Sequence, residues 1–384
     1  MRSPNTLVIG GGLIGTAIAA AVARRGARVQ QVADDRDNAA SPVAAGMLAP
    51  VTEAEPTEGL LLPLNLAALA RWSDFADRLA TDTGLPVGLR RTPTLSVGFD
   101  ADDAARLADL AGFLARVGLT AELRTGRQAR RHVPLLAPQV RAGLWVESDW
   151  SVDNRLLLAA LQADAERLGV TRHRATVTEL IMDGGTVTGA RLADGGTVTA
   201  DVTVLATGAW SGQFPLPFEL PIRPVKGQVV RLRAGSLPTP DCTVRAFTRG
   251  FEVYLVPRAS GEVVIGATSE DRGFDGDATA GGIHGLLRDA RTVLPIIDEY
   301  AWGEVSVGHR PASPDHAPIV GEAGIPGLVL AAGHHRNGVL LTPITAEVIS
   351  ELIMTGTLPQ VAAPFTLDRF AGVGDAHPTT QESP

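Results

Sequence analysis

Two short stretches concentrate the residue types that could do chemistry. One is the glycine spacing Gly10-x-Gly12-x-x-Gly15. The other is AAGHHRNGVLLTPITAEVI, Ala331 to Ile349, which sets His334, His335, Arg336 and Asn337 in a row inside an apolar run. Glycines at the first spacing let a backbone come close to a pyrophosphate. The start of the following helix then turns its partial positive charge toward the phosphate oxygens. The residues counted toward that phosphate site are Gly10, Gly12, Leu13, Ile14 and Gly15. The spacing alone does not separate FAD from NAD, and an apolar glycine-rich turn is the plainer reading of the same residues. In the second stretch charge is costly to bury unless it is paired. Its polar residues therefore need partners or a ligand, unless the two histidines are simply hydrogen-bonded loop residues.

The elements around these stretches follow from hydropathy and punctuation. TLVIG reads as a buried strand, Leu13 to Arg25 as a helix with Gly26 as its stop, and ARVQQVAD as a second strand. That is a βαβ start at the spacing a dinucleotide site requires. The acid that would hold the ribose is expected at Ala33, and the next residue is Asp34. Asp34 is open to two readings, a ribose ligand after a small shift or a plain surface turn residue. Helices are predicted through LNLAALARWSDFADRLATDTG, ADDAARLADLAGFLARVG and SVDNRLLLAALQADAERLGV, the last capped by Ser151 or Asp153. Strands separated by Gly-Gly and Asp-Gly turns lead into VTVLATGAWSG, and β-rich sequence returns from Pro221 to Val305, broken by a helix near Gly282 to Leu294. A strand GLVLAAG and a helix from Pro343 to Met354 close the fold.

The 384 residues are too many for one simple core. The pattern predicts an α/β fold, with a Rossmann-like nucleotide-binding domain in three pieces (1–85, 142–217 and 305–370). A mainly antiparallel, sheet-rich α+β domain for the substrate (86–141 and 218–304) is inserted between them, and 371–384 form a disordered tail. Hydrophobic residues at 45% and charged residues at 20% are ordinary for a soluble globular protein. Aromatics at 4% make stacking platforms for nucleic acid or sugars scarce, and a formal charge of −8 with no Lys/Arg-rich run shows no phosphate-backbone footprint. The single cysteine, Cys242, rules out an intrachain disulfide and a cysteine-based zinc site, and fits a reducing cytoplasm. Thr6 to Ala23 carries no charge, but three consecutive glycines at 10 to 12 and a basic pair placed after the run argue against a membrane span or targeting segment.

Together, VIGGGLIG, AAGMLAP, VLATGAWSG, VKGQVV, YLVPR, VVIGAT, GHRPASPDHAPIVG and AAGHHRNGVLLTP resemble, in order and spacing, the D-amino-acid oxidase superfamily of FAD enzymes. Within it they look most like the glycine oxidases of thiamine biosynthesis, from Thr6 to Phe370. The resemblance implies non-covalent FAD, a small amino-acid substrate, O2 as acceptor and a homo-oligomer, tetrameric in many members. Sarcosine oxidases of the superfamily bond flavin to a cysteine in the segment that here reads SVGHRPASPDH, which has none. By the same resemblance, Ala40, Ser41, Ala45, Gly46 and Met47 belong to the flavin-side loop, Val177 holds the adenine by its backbone, and Thr207 and Gly208 form a second glycine turn. Backbone groups of His334, His335, Arg336, Asn337, Gly338, Val339 and Leu340 contact FAD, with Arg336 at the substrate. Arg310 resembles the arginine that binds the substrate carboxylate, Tyr254 the tyrosine beside it, and Ser269 a pocket position where some members carry a bulkier residue. An arginine fork matches a planar carboxylate. The plainer readings are a structural ion pair for Arg310 and a core tyrosine for Tyr254.

The implied activity is hydride transfer from the amino-acid Cα to flavin N5. Its products are an imine or glyoxylate, ammonia and hydrogen peroxide. Rival readings are an amine dehydrogenase on the same fold with another acceptor, a cofactor-binding module without catalysis, and a plain NAD-dependent reductase.

Overall fold

In the computed structural model, residues 3–34, 36–248 and 251–371 are described; the tail from 372 onward lies outside them. A six-stranded sheet forms the centre of the first unit, in the order Ile319–Glu322, Leu328–Ala332, Val202–Leu205, Asn5–Ile9, Arg28–Ala33, Thr171–Arg174. All neighbours pair in parallel except the first two. A parallel strand must be covered on both faces, and alternation along each strand supplies both. Val8, Val29, Val204, Val329 and Ala331 pack on one side with the helices Leu13–Arg24, Leu61–Thr83, Asn154–Arg167 and Thr342–Thr355. Leu7, Ile9, Val32, Leu205 and Leu330 pack on the other, against a three-stranded sheet of Val177–Asp183, Thr186–Leu192 and Thr197–Thr199.

The second unit is built on an eight-stranded sheet. Its order is Ala301–Ala312, Arg223–Arg233, Glu262–Gly266, Phe251–Pro257, Thr243–Thr248, Thr94–Gly98, Ala142–Val146, Glu122–Thr125. Only Thr243–Thr248 and Thr94–Gly98 run parallel. Strands Ala142–Val146 and Ala301–Ala312 hydrogen-bond into this sheet. On strand pairing, the second unit therefore reaches past the edges at 141 and 305 that composition indicated. Helix Ala280–Val293 covers one face, with Leu286, Ala290 and Val293 in its core.

The local signals behave as their chemistry requires. The first helix runs Leu13–Arg24, and Arg25 caps it, one residue short of the expected end. Asp153, not Ser151, caps the helix Asn154–Arg167, because its carboxylate accepts the N–H groups of Arg155 and Leu156. Gly84 and Gly356 end two helices in the left-handed conformation that glycine adopts without strain. No helix among the described residues is long and apolar enough to cross a membrane.

Candidate functional site

The carboxyl ends of three parallel strands, Asn5–Ile9, Val202–Leu205 and Leu328–Ala332, release three loops toward the same place. Ligands of open α/β sheets bind at such strand ends. The loops carry Gly10 to Gly12, Thr207 and Gly208, and the turn beginning at Gly333. They open into a cavity of about 1490 Å³ that also reaches the eight-stranded sheet. A single small ligand fills ~300–1,000 Å³, so this volume suits a dinucleotide with a substrate beside it.

At the first loop the glycines are required by contact. A Cβ on Gly10, where φ is +131°, would lie 2.2 Å from the Ala206 carbonyl oxygen. One on Gly15 would lie 2.3 Å from the Gly10 carbonyl oxygen. The Leu13 N–H donates to the Ser41 hydroxyl at 3.0 Å, which joins the loop around Ala40 to the start of the first helix. Leu13, Ile14, Ala33, Asp34 and Ala40 share the cavity wall, as does Val177. Asp34 is paired with Arg36 at 2.9 Å and accepts from the Thr176 hydroxyl at 3.2 Å. A carboxylate at the wall with those partners could still accept ribose hydroxyls.

Ala45, Gly46 and Met47 run beside the short strand Trp150–Val152, with Val152 N–H donating to the Gly46 carbonyl at 2.8 Å. A Cβ on Gly46 would come within 2.0 Å of the Val152 oxygen. Arg258, which carried no sequence signal beyond its place in YLVPR, ties this loop down. It is 3% exposed and donates to the carbonyls of Ala45 and Val152 at 2.6 and 2.8 Å. Burial pushes its guanidinium down to about 10, still charged at neutral pH.

Arg310 and Tyr254, from strands Ala301–Ala312 and Phe251–Pro257, line the same cavity. The Arg310 guanidinium donates to the Thr268 carbonyl at 3.1 Å. Burial raises the Tyr254 phenol above its ordinary value, and the facing Arg310 opposes that. Two glycines inside strands make the room. A Cβ on Gly227 would sit 2.4 Å from Arg310 Nη1, and one on Gly266 would sit 2.5 Å from the Tyr254 hydroxyl. Glycine inside a strand is a sign of close approach, so both positions were findable from sequence. Ser269 is exposed and lines the cavity.

The turn that opened the question contributes His334, His335, Arg336, Gly338 and Val339 to the wall. Asn337 and Leu340 do not line it. Asn337 is buried with its N–H on the His334 carbonyl, and the Leu340 carbonyl accepts from the Trp72 indole at 2.9 Å. Arg336 is neutralised by Glu55 at 2.9 Å and Glu58 at 2.6 Å, and also donates to the Glu53 carbonyl at 3.4 Å. These carboxylates gave no sequence signal, because they lie in an unpatterned stretch, VTEAEPTEG.

Burial pushes both His334 and His335 down to about 3. His334 shares a hydrogen bond with the Thr345 hydroxyl at 3.1 Å, and the His335 ring stacks on His316 at 4.3 Å. Both are neutral at pH 7 and poor proton acceptors there. In the unfolded chain they titrate near ~6.5, so between about pH 6.5 and 3 the unfolded state binds more protons and stability falls on acidification. The thermal midpoint is expected to drop as pH falls through 6, and His334→Asn should flatten that drop. An identical pH dependence in the variant would remove His334 from the account.

Among the described residues no group of His, Cys, Asp and Glu could hold a metal. Cys242 is buried in the core of the second sheet, with its thiol pushed up to about 12 by burial.

Three comparisons with known proteins bear on the family and the fold. Residues 5–352 match the family model described as FAD dependent oxidoreductase. A bifunctional protein ThiO/ThiG of Nostoc sp. (strain PCC 7120) is 37% identical over 91% of this chain and 52% of its own length. The chain thus spans about half the length of that two-function relative. A glycine oxidase of Geobacillus kaustophilus is 32% identical, over 95% of this chain and 97% of its own. The crystal structure of glycine oxidase from Geobacillus kaustophilus superposes with a TM-score of 0.88 at 30% identity, covering 96% of this chain and 99% of that one.

Proposed function

Because the chain belongs to the FAD-dependent oxidoreductase family that spans its residues 5–352, we propose that it is an oxidase of glycine and other small amines, sarcosine and D-amino acids among them. FAD is held non-covalently, and the products are the imine or its hydrolysis products glyoxylate and ammonia, together with hydrogen peroxide. The imine of glycine would serve the thiazole of thiamine. The observation that carries this reading is the Arg310–Tyr254 pair in the same cavity as the close-packed glycine turn at Gly10 to Gly15.

FAD, when bound, supplies the hydride acceptor and passes the electrons to oxygen. Gly10, Gly12 and Gly15 would admit its pyrophosphate, and Ala45 to Met47 would flank the ring. The chain's own residues orient the substrate. Arg310 takes the α-carboxylate with its fork while the Thr268 carbonyl holds the guanidinium in place. The Tyr254 hydroxyl donates to the same carboxylate. The amine then faces the turn at His334 to Arg336. Neither histidine there is basic enough to take its proton at neutral pH, so the amine enters as the free base. Orientation, not proton transfer by the protein, is the chain's contribution.

Ser269 leaves space for substituents on the substrate. Tyr254→Phe removes one hydrogen bond to a charged group, and KM for glycine is expected to rise about tenfold with kcat little changed. Complete inactivity of a flavin-loaded variant would show that the phenol does more than bind.

The test of the function is a visible spectrum with a peroxide-coupled assay on glycine, sarcosine, D-alanine, D-proline and L-alanine. A flavin spectrum with peroxide from glycine is the expected result. Bleaching without peroxide would replace oxygen by another acceptor, and a colourless protein would overturn the reading.

A further inference from the structure

Asp149 lies in the turn between strands Ala142–Val146 and Trp150–Val152 and is 0% exposed. Its two carboxylate oxygens accept three hydrogen bonds, from the Val51 N–H at 3.1 Å, the Thr52 N–H at 2.6 Å and the Thr52 hydroxyl at 2.7 Å. The same Thr52 oxygen accepts from Arg245 Nη1 at 3.1 Å. Arg245 is 6% exposed and pairs with Glu252 and, at 3.5 Å, with Glu53. Arg245 stands directly across the strand pair from Tyr254. Beyond burial and Arg310, Glu53 and Arg245 are the groups that bias the Tyr254 phenol. Hydrogen bonds thus lead from a buried carboxylate through Thr52 to Arg245, the strand partner of Tyr254.

Thr52 lines a second cavity of about 590 Å³, which shares Glu53, Phe247, Glu252 and Arg336 with the large one. A fully buried carboxylate is costly for folding unless it is well paired. Its three donors come from Val51 and Thr52, and the cation that acts on it, Arg245, is hydrogen-bonded to that same Thr52.

We propose that Asp149 is a positioning residue for substrate binding: by holding Val51 and Thr52 it sets Arg245 and Glu53 beside Tyr254. The inference rests on the reading of the cavity as an amino-acid oxidase site.

Burial pushes the Asp149 carboxyl up to about 6, opposed by its three donors and by Arg245. Arg245, from strand Thr243–Thr248, is the charged group acting on it, and Glu53 and Glu252 are tied to Arg245. Protonation turns one acceptor oxygen into a donor and displaces at least one of the three bonds. The folded-state value lies above the ordinary ~3.9 of aspartate. Stability linked to Asp149 is therefore fully present below about pH 4 and lost as pH rises through about 6. Loosening on acidification is then a change in the site and not in global stability.

The test compares wild type, Asp149→Asn and Thr52→Val, each purified with its flavin, over pH 5 to 9. Wild-type kcat/KM for glycine is expected to fall on the acid side with an inflection near pH 6. In Asp149→Asn that inflection disappears and KM rises about tenfold, while kcat and flavin content change little. Thr52→Val keeps both backbone bonds and should raise KM in the same direction. Unchanged KM with the inflection retained in a folded Asp149→Asn overturns the proposal. If that variant does not fold, Thr52→Val decides, and an unchanged KM there overturns it. A flavin-loaded wild type that oxidises no amine removes the oxidase reading instead. Asp149 is then judged by the Kd of glycolate from flavin absorbance: weaker binding in Asp149→Asn supports its role, and equal binding overturns it.

Discussion

Arg310→Leu is expected to lower kcat/KM for glycine about a thousandfold while the protein stays yellow. The loss follows from what the guanidinium does alone. An arginine–carboxylate fork makes two charge-assisted hydrogen bonds worth ~1.5–3 kcal/mol each, and each ~1.4 kcal/mol is a factor of ten. Arg336, on the cavity wall, is held by Glu55 and Glu58, and Arg245, the strand partner of Tyr254, by Glu252 and Glu53. The loss should appear mainly in KM, and glycolate, a carboxylate without an amine, should lose its affinity in parallel. Gly227 offers a check from the other side. An alanine there would press on Arg310 Nη1, so Gly227→Ala should impair the same parameter with the arginine still present. Wild-type kinetics in Arg310→Leu would dissolve the carboxylate clamp and the assignment built on it.

Gly10→Ala is expected to strip the protein of flavin. The added Cβ meets the Ala206 carbonyl oxygen at 2.2 Å and the Ala206 carbonyl carbon at 2.7 Å. Neither is a flexible side chain that can swing away; both belong to the turn that continues into Thr207 and Gly208. The residue also sits at φ +131°, where an L side chain is strained before any contact is counted. The loop must therefore shift out of the phosphate cradle. Even about 2 kcal/mol of lost phosphate contacts weakens flavin binding about thirtyfold. The ratio of absorbance at the flavin band to that at the protein band, measured after gel filtration, reads the outcome. A fully yellow Gly10→Ala would mean that the pyrophosphate is not bound at this loop.

Much of this architecture was legible because it is local. A buried apolar strand, three glycines and a helix follow one another within Asn5 to Arg24, and backbone conformation and side-chain alternation need no distant partner to be read. Periodicity and turn residues likewise announced the second sheet, although its edges at Ala142–Val146 and Ala301–Ala312 were set by strand pairing that periodicity does not encode. The polar turn at His334 to Asn337 was visible as an anomaly, and its family resemblance pointed to a cavity. The partner of its charge was not visible.

The βαβ start and the division into a mainly parallel and a mainly antiparallel sheet were legible in the sequence. Only the tertiary structure decided where the charges go. Arg336 is balanced by Glu55 and Glu58, which are 281 and 278 residues away, and Asp149 grips Thr52 across 97. Helix and strand patterns repeat because the backbone repeats, every ~3.6 or two residues. A long-range polar contact has no period: it needs two groups to meet once, and chain folding alone brings Arg245 to Glu53 or Asp149 to Thr52.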